Sequence, residues 1–345
     1  MSSRRILVIR PDKIGDVVLS LPVFEVIRRA LPDAFLAGLV NPYTSPVLDN
    51  NPWIDEILTD DPSAAEGGMV GTLRQISLLR SRTFDTALML LPTMRLAWML
   101  LLAGIPNRIG VGHRIYQSLT WTKTVSRDKQ RSMRHESDYC LDLVRAMDIA
   151  IDPCKPRVFL TSKEKAAAAA LIVSKGLRSR PIIGLHPGNG NNAPNWSAKR
   201  YGELARLLFE RYEVPLIVTG SAKEQPLAEE IIDASGIPII SLVGALSLRE
   251  LMGVIGEMDL LVSSSTGPMH LAAALDVPTT SLFCPQPGRS PERWAPVSDK
   301  SCILLPRGGQ CETCDVGPLC DLSDISTDVV FEGAIQLIDN RNLEK

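Results

Sequence analysis

The chain of 345 residues has almost no net charge, formally -2, so it offers no global attraction to nucleic acid or to an anionic membrane. Any such contact has to be local. An export signal is missing too, because the aliphatic run behind the basic pair Arg4 and Arg5 covers only Ile6 to Ile9 before Arg10 interrupts it. No apolar run is long enough to span a bilayer. The most apolar stretch, "TALMLLPTMRLAWMLLLAGIP" (Thr86 to Pro106), is broken by Pro92 and Arg95, below the roughly 18 to 20 uninterrupted residues that a spanning helix needs. It reads as a buried strand followed by a helix. Short-period repeats and low-complexity tracts are absent apart from the helix-favouring alanines Ala166 to Ala170. Two phosphate-binding signatures are also absent: there is no G-K-[ST] P-loop and no G-x-G-x-x-G dinucleotide fingerprint.

What is present suits two ordinary domains, with 45% apolar and 22% charged residues. Seven cysteines without an export signal point to a reducing compartment, hence the cytoplasm, rather than to a disulfide framework. Candidate strands in the first half are "RILVI" (Arg5 to Ile9), "FLAGLV" (Phe35 to Val40), "EILT" (Glu56 to Thr59) and "TALMLL" (Thr86 to Leu91). These runs are continuously apolar rather than alternating, as in parallel strands covered on both faces. After a helical stretch (Thr161 to Leu177) the alternation restarts with "PIIGLHPG", "VPLIVTG", "IPIISLVG", "MDLLVSSS" and "PTTSLFC". The polar "SKGLRSRP" (Ser174 to Pro181) reads as the linker. The expectation is an α/β chain of two doubly wound domains, residues 1–177 and 178–325, with ligands held between them at the C-terminal ends of strands. The last stretch, 326–345, reads as an amphipathic helix.

Two turns carry the features of a phosphate site. "LLVSSSTGPMHLAAALDVPTTSLF" (Leu260 to Phe283) reads as strand, small-residue turn, helix and strand. Free amides at the helix start and the hydroxyls of Ser263, Ser264, Ser265 and Thr266 suit an anion, and Gly267 permits close approach. A serine cap with nothing bound is the plainer alternative. "GLHPGNGNNAPNWSAKRYGELARLL" (Gly184 to Leu208) also follows a strand and precedes a helix, with Gly188, Asn189, Gly190, Lys199 and Arg200 in or just after the turn. Two such turns in one domain suggest a diphosphate.

A third turn, "RPDKIGDVVLSLP" (Arg10 to Pro22), puts two acids between a strand and a helix. Either acid is explained by helix capping alone. Lys13 and Arg10 are candidates to pair with them or with an anionic acceptor. The basic segment His113 to Glu136, with Arg127, Lys129, Arg131 and Arg134, could grip an acidic glycolipid or an anionic membrane surface, or be a solvated loop. His113 and His135 read as structural polar residues. Cys302, Cys311, Cys314 and Cys320 have spacing that resembles a structural metal knuckle, the alternative being reduced thiols.

Taken in order and spacing, "IGDVVLSLP", "HPGNGNNAPNWSAKRY", "VTGSAKE", "LVGALSLREL" and "SSSTGPMHLAAALDVPT" resemble the ADP-heptose lipopolysaccharide heptosyltransferases, glycosyltransferase family nine. The resemblance implies a GT-B architecture and an inverting transfer that needs no metal or other cofactor, from an ADP-heptose donor held by the C-terminal domain to a glycan acceptor of the lipopolysaccharide-core type. In that architecture the 326–345 helix is expected to cross back and brace the N-terminal domain. The resemblance further implies Asp16 as general base, Ser265, Thr266 and Gly267 at the donor diphosphate, and His270 as the family's histidine in the donor-site helix. Glu224 corresponds to the acid near the ribose, and Val243 to Leu246 to the segment flanking adenine. Asp12 keeps its structural reading. The chain departs from many members at Ser265, where they have Asp, and at Pro194, where they have a diphosphate-binding Lys; Lys199 or Arg200 is the candidate substitute. The resulting expectation is a cytoplasmic glycosyltransferase, with contact to the inner face of the cytoplasmic membrane as an open addition. Two rivals are a nucleotide-sugar epimerase or hydrolase of the same architecture, and a silent nucleotide-binding assembly protein.

Overall fold

The run Ile6–Ile9 has no more than 1% of any side chain exposed, which is possible only for a strand with neighbours on both edges and layers on both faces. Burying each such side chain contributes about 1.5–3 kcal/mol of transfer free energy. In the computed structural model, which describes residues 4–61, 68–112, 115–126, 133–190, 193–306 and 322–343, this run is β1 (Arg5–Ile9). There follow α1 (Ile14–Ala30), β2 (Phe35–Val40), β3 (Glu56–Thr59), α2 (Met69–Ser81), β4 (Thr86–Met89), α3 (Met94–Leu102), β5 (Asn107–Val111), α4 (Ile115–Thr120), β6 (Lys123–Val125) and α5 (Glu136–Arg145). The strands form one parallel sheet of order β3-β2-β1-β4-β5-β6. Right-handed crossovers put α1 on one face, where α5 packs against it, and α2, α3 and α4 side by side on the other. Leu7, Ile9, Ala37 and Met89 form a core with Ile76 and Leu79 of α2 and Leu96, Ala97 and Leu100 of α3.

A second compact unit begins with α6 (Ser162–Ser174). It continues through β7 (Ile183–His186), α7 (Ala198–Tyr212), β8 (Leu216–Val218), α8 (Gln225–Ser235), β9 (Ile239–Ser241), α9 (Leu248–Gly256), β10 (Leu260–Ser264), α10 (Gly267–Ala274), β11 (Thr279–Leu282), α11 (Pro291–Trp294), β12 (Ser301–Leu304) and α12 (Thr327–Leu343). Its parallel sheet runs β12-β11-β10-β7-β8-β9, the same topology as the first. Two Rossmann-like doubly wound units are the pair expected of the GT-B architecture.

Two expected boundaries are corrected. The chain divides between Phe159 and Leu160, not at 177, because α6 packs on α9. Ala168 lies against Gly253, and the Arg249 guanidinium pairs with Glu164 at 2.7 Å. "SKGLRSRP" is a loop inside the second unit. The C-terminal helix belongs to the second unit: Val330, Ala334 and Ile338 of α12 are buried in its core beside α7 and the β10–β12 strands. No helix among the described residues is long and apolar enough to cross a membrane.

Candidate active site

In a doubly wound sheet the strand order reverses at one point, and the crevice beyond the strand ends there is left open by the diverging loops. In the first unit that point lies between β1 and β4. The side chain of Arg10, the residue after β1, is 4% exposed and donates across it to the Leu90 carbonyl at 3.3 Å, just past β4. The same guanidinium binds Asp12 (Nε to Oδ1, 2.9 Å), Asp16 (Nη2 to Oδ1) and Glu136 (Nη1 to Oε1, 3.1 Å), with Cys140 Sγ 3.8 Å from Nη1. Asp16 sits in the first turn of α1, while Lys13 holds the N-cap position without a side-chain cap bond. Glu136 opens α5 and is 1% exposed, whereas Asp12 and Asp16 each keep 17% of their side chains open.

One guanidinium therefore serves three carboxyl groups. Burial opposes the Arg10 charge, but Cys140 and the three acids more than reverse that, and the cation is held. The cost falls on Asp12, whose carboxyl is pushed up to about 7 by burial, with Arg10 opposing and Asp16 and Glu136 adding to the rise. The expected pairing of Arg10 with both acids is present, and Asp12, read from the sequence as structural, belongs to the same cluster as Asp16. Glu136 and Cys140 had no signal in the sequence, since nothing local links them to a strand end more than a hundred residues away.

In the second unit the reversal lies between β7 and β10, and both anticipated turns meet there. Ser264 at the end of β10 donates from Oγ to Asn195 Oδ1 at 2.7 Å and accepts from the Trp196 amide at 3.3 Å. Asn195 Nδ2 donates to the Pro187 carbonyl, and Asn189 Nδ2 donates to the Ala193 carbonyl at 2.8 Å and to the Pro194 carbonyl at 3.3 Å. Tyr201 closes the network from α7, 3.4 Å from Ser264 and edge-on to Trp196; burial pushes its phenol up to about 12. The loop from Pro187 to Trp196 is thus tied down at both ends. Asn189 is a shaping residue of that loop.

Gly188 and Glu224, far apart in sequence, touch. A Cβ on Gly188 would stand 1.9 Å from Glu224 Oε1. Glu224 Oε2 accepts from the Ser221 amide at 2.7 Å and from Ser221 Oγ at 2.9 Å, a capping box that fixes the carboxylate. Beside them, His186 Nδ1 lies 2.9 Å from Thr219 Oγ1, and burial pushes the imidazole down to about 4 despite Glu224. His186 is therefore neutral in the physiological range, and sequence reasoning passed it over inside "GLHPG". The half-buried Leu246 belongs to the segment that reaches back to this corner, where the Gly244 amide donates to the Gly220 carbonyl at 2.9 Å.

At the start of α10, Thr266 occupies the N-cap position with its Oγ1 buried and without a partner among the described residues. Ser265 follows β10, its amide donating to the Leu282 carbonyl at 3.1 Å, and Gly267 begins the helix. His270 is buried one turn on, at 4% exposure. The two candidate substitute cations diverge. Arg200 donates to the Ile325 carbonyl at 2.6 Å beside Trp196 Nε1, while Lys199 is exposed in the first turn of α7.

The remaining anticipated residues separate. Arg134 is held by Asp142 at 2.8 and 3.3 Å and stacks near Tyr139, and His135 caps α5 by accepting from the Ser137 amide. Arg127, Lys129, Arg131 and His113 lie outside the described residues, as do Cys311, Cys314 and Cys320. Cys302, on β12, packs its sulfur against Gly333 of α12.

A turn-borne acid cluster in one Rossmann-like unit and a hydroxyl-rich helix start in the other set the frame for comparison with known proteins. The profile of glycosyltransferase family 9 (heptosyltransferase) matches residues 72–317. The chain belongs to this family. As a family 9 member it is a glycosyltransferase, and it is 27% identical to lipopolysaccharide heptosyltransferase 2 of Salmonella typhimurium over 87% of each chain. Among solved structures it is similar to the family 9 glycosyl transferase of Veillonella parvula (TM-score 0.86, 21% identity, 98% of this chain and 97% of that one). It is also similar to Escherichia coli ADP-heptose lipopolysaccharide heptosyltransferase II (TM-score 0.80, 25% identity, 98% and 99%). The second half of this family 9 chain keeps Pro194 buried within the tied loop and Ser265 at the strand end.

Proposed function

We propose that this glycosyltransferase moves a heptose, or a closely related sugar, from an ADP-sugar to a glycan acceptor of the lipopolysaccharide-core type, by a single inverting displacement with Asp16 as general base. The observation that carries the reading is the open Asp16 carboxylate fixed by Arg10 at the switch point of the first sheet. An acceptor hydroxyl is far too weak an acid to ionise at neutral pH, so a carboxylate positioned to take its proton as the new bond forms lowers the barrier. Arg10 holds that carboxylate and Glu136 holds Arg10; neither need touch the sugar.

The departing ADP needs its growing charge met by donors already in position. Ser265, the amide of Gly267, and Thr266, whose buried hydroxyl has no partner in the described protein, are the groups we assign to the diphosphate. His270 and Lys199 stand with them as the remaining donor candidates. Gly188 admits the donor closely, with Asn189 shaping its loop, and Glu224 and Leu246 are assigned to the ribose and the adenine. Names of relatives that specify ADP-heptose and lipopolysaccharide support this choice of substrates. With these donors meeting the diphosphate charge, the transfer is proposed to need no metal.

Lys13, Arg127, Arg131 and Arg134 are proposed to receive the anionic acceptor, Arg134 by exchanging Asp142 for it. A cytoplasmic setting with contact to the inner membrane face fits the free thiols Cys140, Cys154, Cys284 and Cys302 and a lipid-borne acceptor. A structural metal at Cys311, Cys314 and Cys320 is a separate proposal, with Cys302 engaged in packing; elemental analysis of untagged protein decides it.

The decisive experiment replaces Asp16. Asp16→Ala should lower kcat by about two orders of magnitude while ADP still raises Tm, and ADP-sugars should stabilise the protein where UDP, GDP and CMP sugars do not. Retained turnover would remove Asp16 from its role, and a preference for another nucleotide would remove the donor assignment.

A further inference from the structure

The layer formed by α2, α3 and α4 has an outer surface unlike that of a helical layer facing water. Its inner surface is ordinary, with Ile76, Leu79, Leu96, Ala97 and Leu100 packed on the sheet. Pointing away from the sheet are Leu73 on α2 (58% exposed), Met94, Trp98 and Leu102 on α3 (59%, 39% and 53%), and Ile115 and Leu119 on α4 (84% and 64%). Those on α3 and α4 recur every four residues, so each helix carries an apolar stripe on the face opposite its buried one. The stripes lie side by side. Arg95 Nε reaches Thr72 Oγ1 at 3.1 Å and Arg80 reaches the Leu102 carbonyl at 2.5 Å, which ties α2 to α3 at both ends, and α4 packs next to α3. Most of the chain's exposed large hydrophobic residues, among those described, are on these three helices.

The charge on the layer has one sign. The sequences of α2, α3 and α4 contain no aspartate or glutamate, and their ionisable groups are Arg74, Arg80 and Arg95 together with Tyr116. Arg74 and Arg80 are exposed, while Arg95 neutralises the buried Asp60. Apolar side chains flanked by exposed cations on helices that lie flat form the pattern of a surface seated at a bilayer interface, with the side chains among the acyl boundaries and the arginines at anionic headgroups. A two-fold contact with a second copy would bring Arg74 and Arg80 of each chain toward the same cations of the other, and none of α2, α3 and α4 contains a carboxylate.

We propose that the α2–α4 face docks the protein onto an anionic lipid bilayer as a monotopic surface. The proposal rests on the reading of the acceptor as lipid-borne, and it gives that reading a physical consequence: catalysis takes place in two dimensions, beside the membrane that carries the acceptor.

The test uses the full chain and vesicles with and without phosphatidylglycerol in phosphatidylethanolamine or phosphatidylcholine. The protein should float with the anionic vesicles, and lose binding in high salt. Trp98→Ser combined with Leu102→Ser should weaken vesicle binding at least tenfold, and so should Arg74→Glu combined with Arg80→Glu. Neither pair should change Tm by more than a few degrees or alter turnover of a delipidated, water-soluble acceptor. Failure of the wild type to bind vesicles while it transfers sugar to the soluble acceptor would overturn this proposal alone, and loss of donor specificity would overturn only the functional reading. A dimer in the absence of lipid that the Trp98 and Leu102 changes disperse would assign the face to self-association and also overturn it.

Discussion

Arg10 organises the acid cluster, and the consequence for pH falls on Asp12. A carboxyl whose pKa rises from its ordinary 3.8 to about 7 on folding binds a proton in the native state that the unfolded chain has already released. The stability it contributes is fully present below 3.8 and is lost as pH rises through about 7. Asp12→Asn should therefore flatten the decline of Tm between pH 5 and pH 8, measured by calorimetry. An unchanged slope would move the raised pKa elsewhere. A second residue-scale expectation concerns Gly188. A methyl there meets the Glu224 carboxylate, which its capping box cannot release without losing two hydrogen bonds. Gly188→Ala should raise the donor KM about tenfold or more. Adding Glu224→Ala should relieve the clash at the cost of the Ser221 capping bonds, without restoring donor affinity. Of these residues, Gly188 was legible from its turn between a strand and a helix, and Asp16 and Glu224 from the family resemblance that those strand-to-helix segments carry. His186, Asn195 and Glu136 were not, because their importance lies in a partner that only the sheet brings near.

Among the elements, α6 shows what local pattern conveys and what it leaves out. Its helix is written plainly: Thr161 and Glu164 form a capping box ahead of the alanine run. Its allegiance is not, since "SKGLRSRP" has the composition of a linker and the deciding contacts come from α9. Glu164 records that contact in its own chemistry. The hydrogen bond from Arg249 above all, offset in part by desolvation and helped by Thr161, pulls its carboxyl down to about 2, so the pair's contribution is present above the ordinary 4.5 and is lost as pH falls toward 2. A methyl on Gly253 would already lie 3.0 Å from Ala168. Gly253→Leu should separate the helices and cost about 1–3 kcal/mol, read as a lower Tm with unchanged helix content. The strands β5, β6 and β12 escaped the sequence for a different reason. β5 opens with Asn107 and Arg108, β6 is three residues long and largely exposed, and β12 is only half buried. Such strands carry little of the continuous apolar signal by which central parallel strands announce themselves.

For the whole molecule, the doubly wound alternation was readable because nine of the strands are short aliphatic runs at regular intervals, whereas the position of the division depends on packing between distant helices. The difference is testable. Residues 160–345 should fold alone with a single cooperative transition and gain Tm with ADP, because α6 and α12 complete that unit. Residues 178–325 should not, since they leave α9 and the β10–β12 strands without their covering helices. Equal stability of the two fragments would restore the boundary suggested by composition.

The acid cluster runs from Arg10 to Glu136, wholly inside the part of the chain that a ribosome finishes first. Parallel sheets with long crossovers fold slowly, and domains generally fold as units during synthesis, the N-terminal one leading. A nascent chain thus holds the Arg10 clamp on Asp12, Asp16 and Glu136 while the residues proposed to recognise a nucleotide sugar are still untranslated. Under the proposed assignment the enzyme acquires its acid cluster before its donor site, so a half-made chain has no donor to squander.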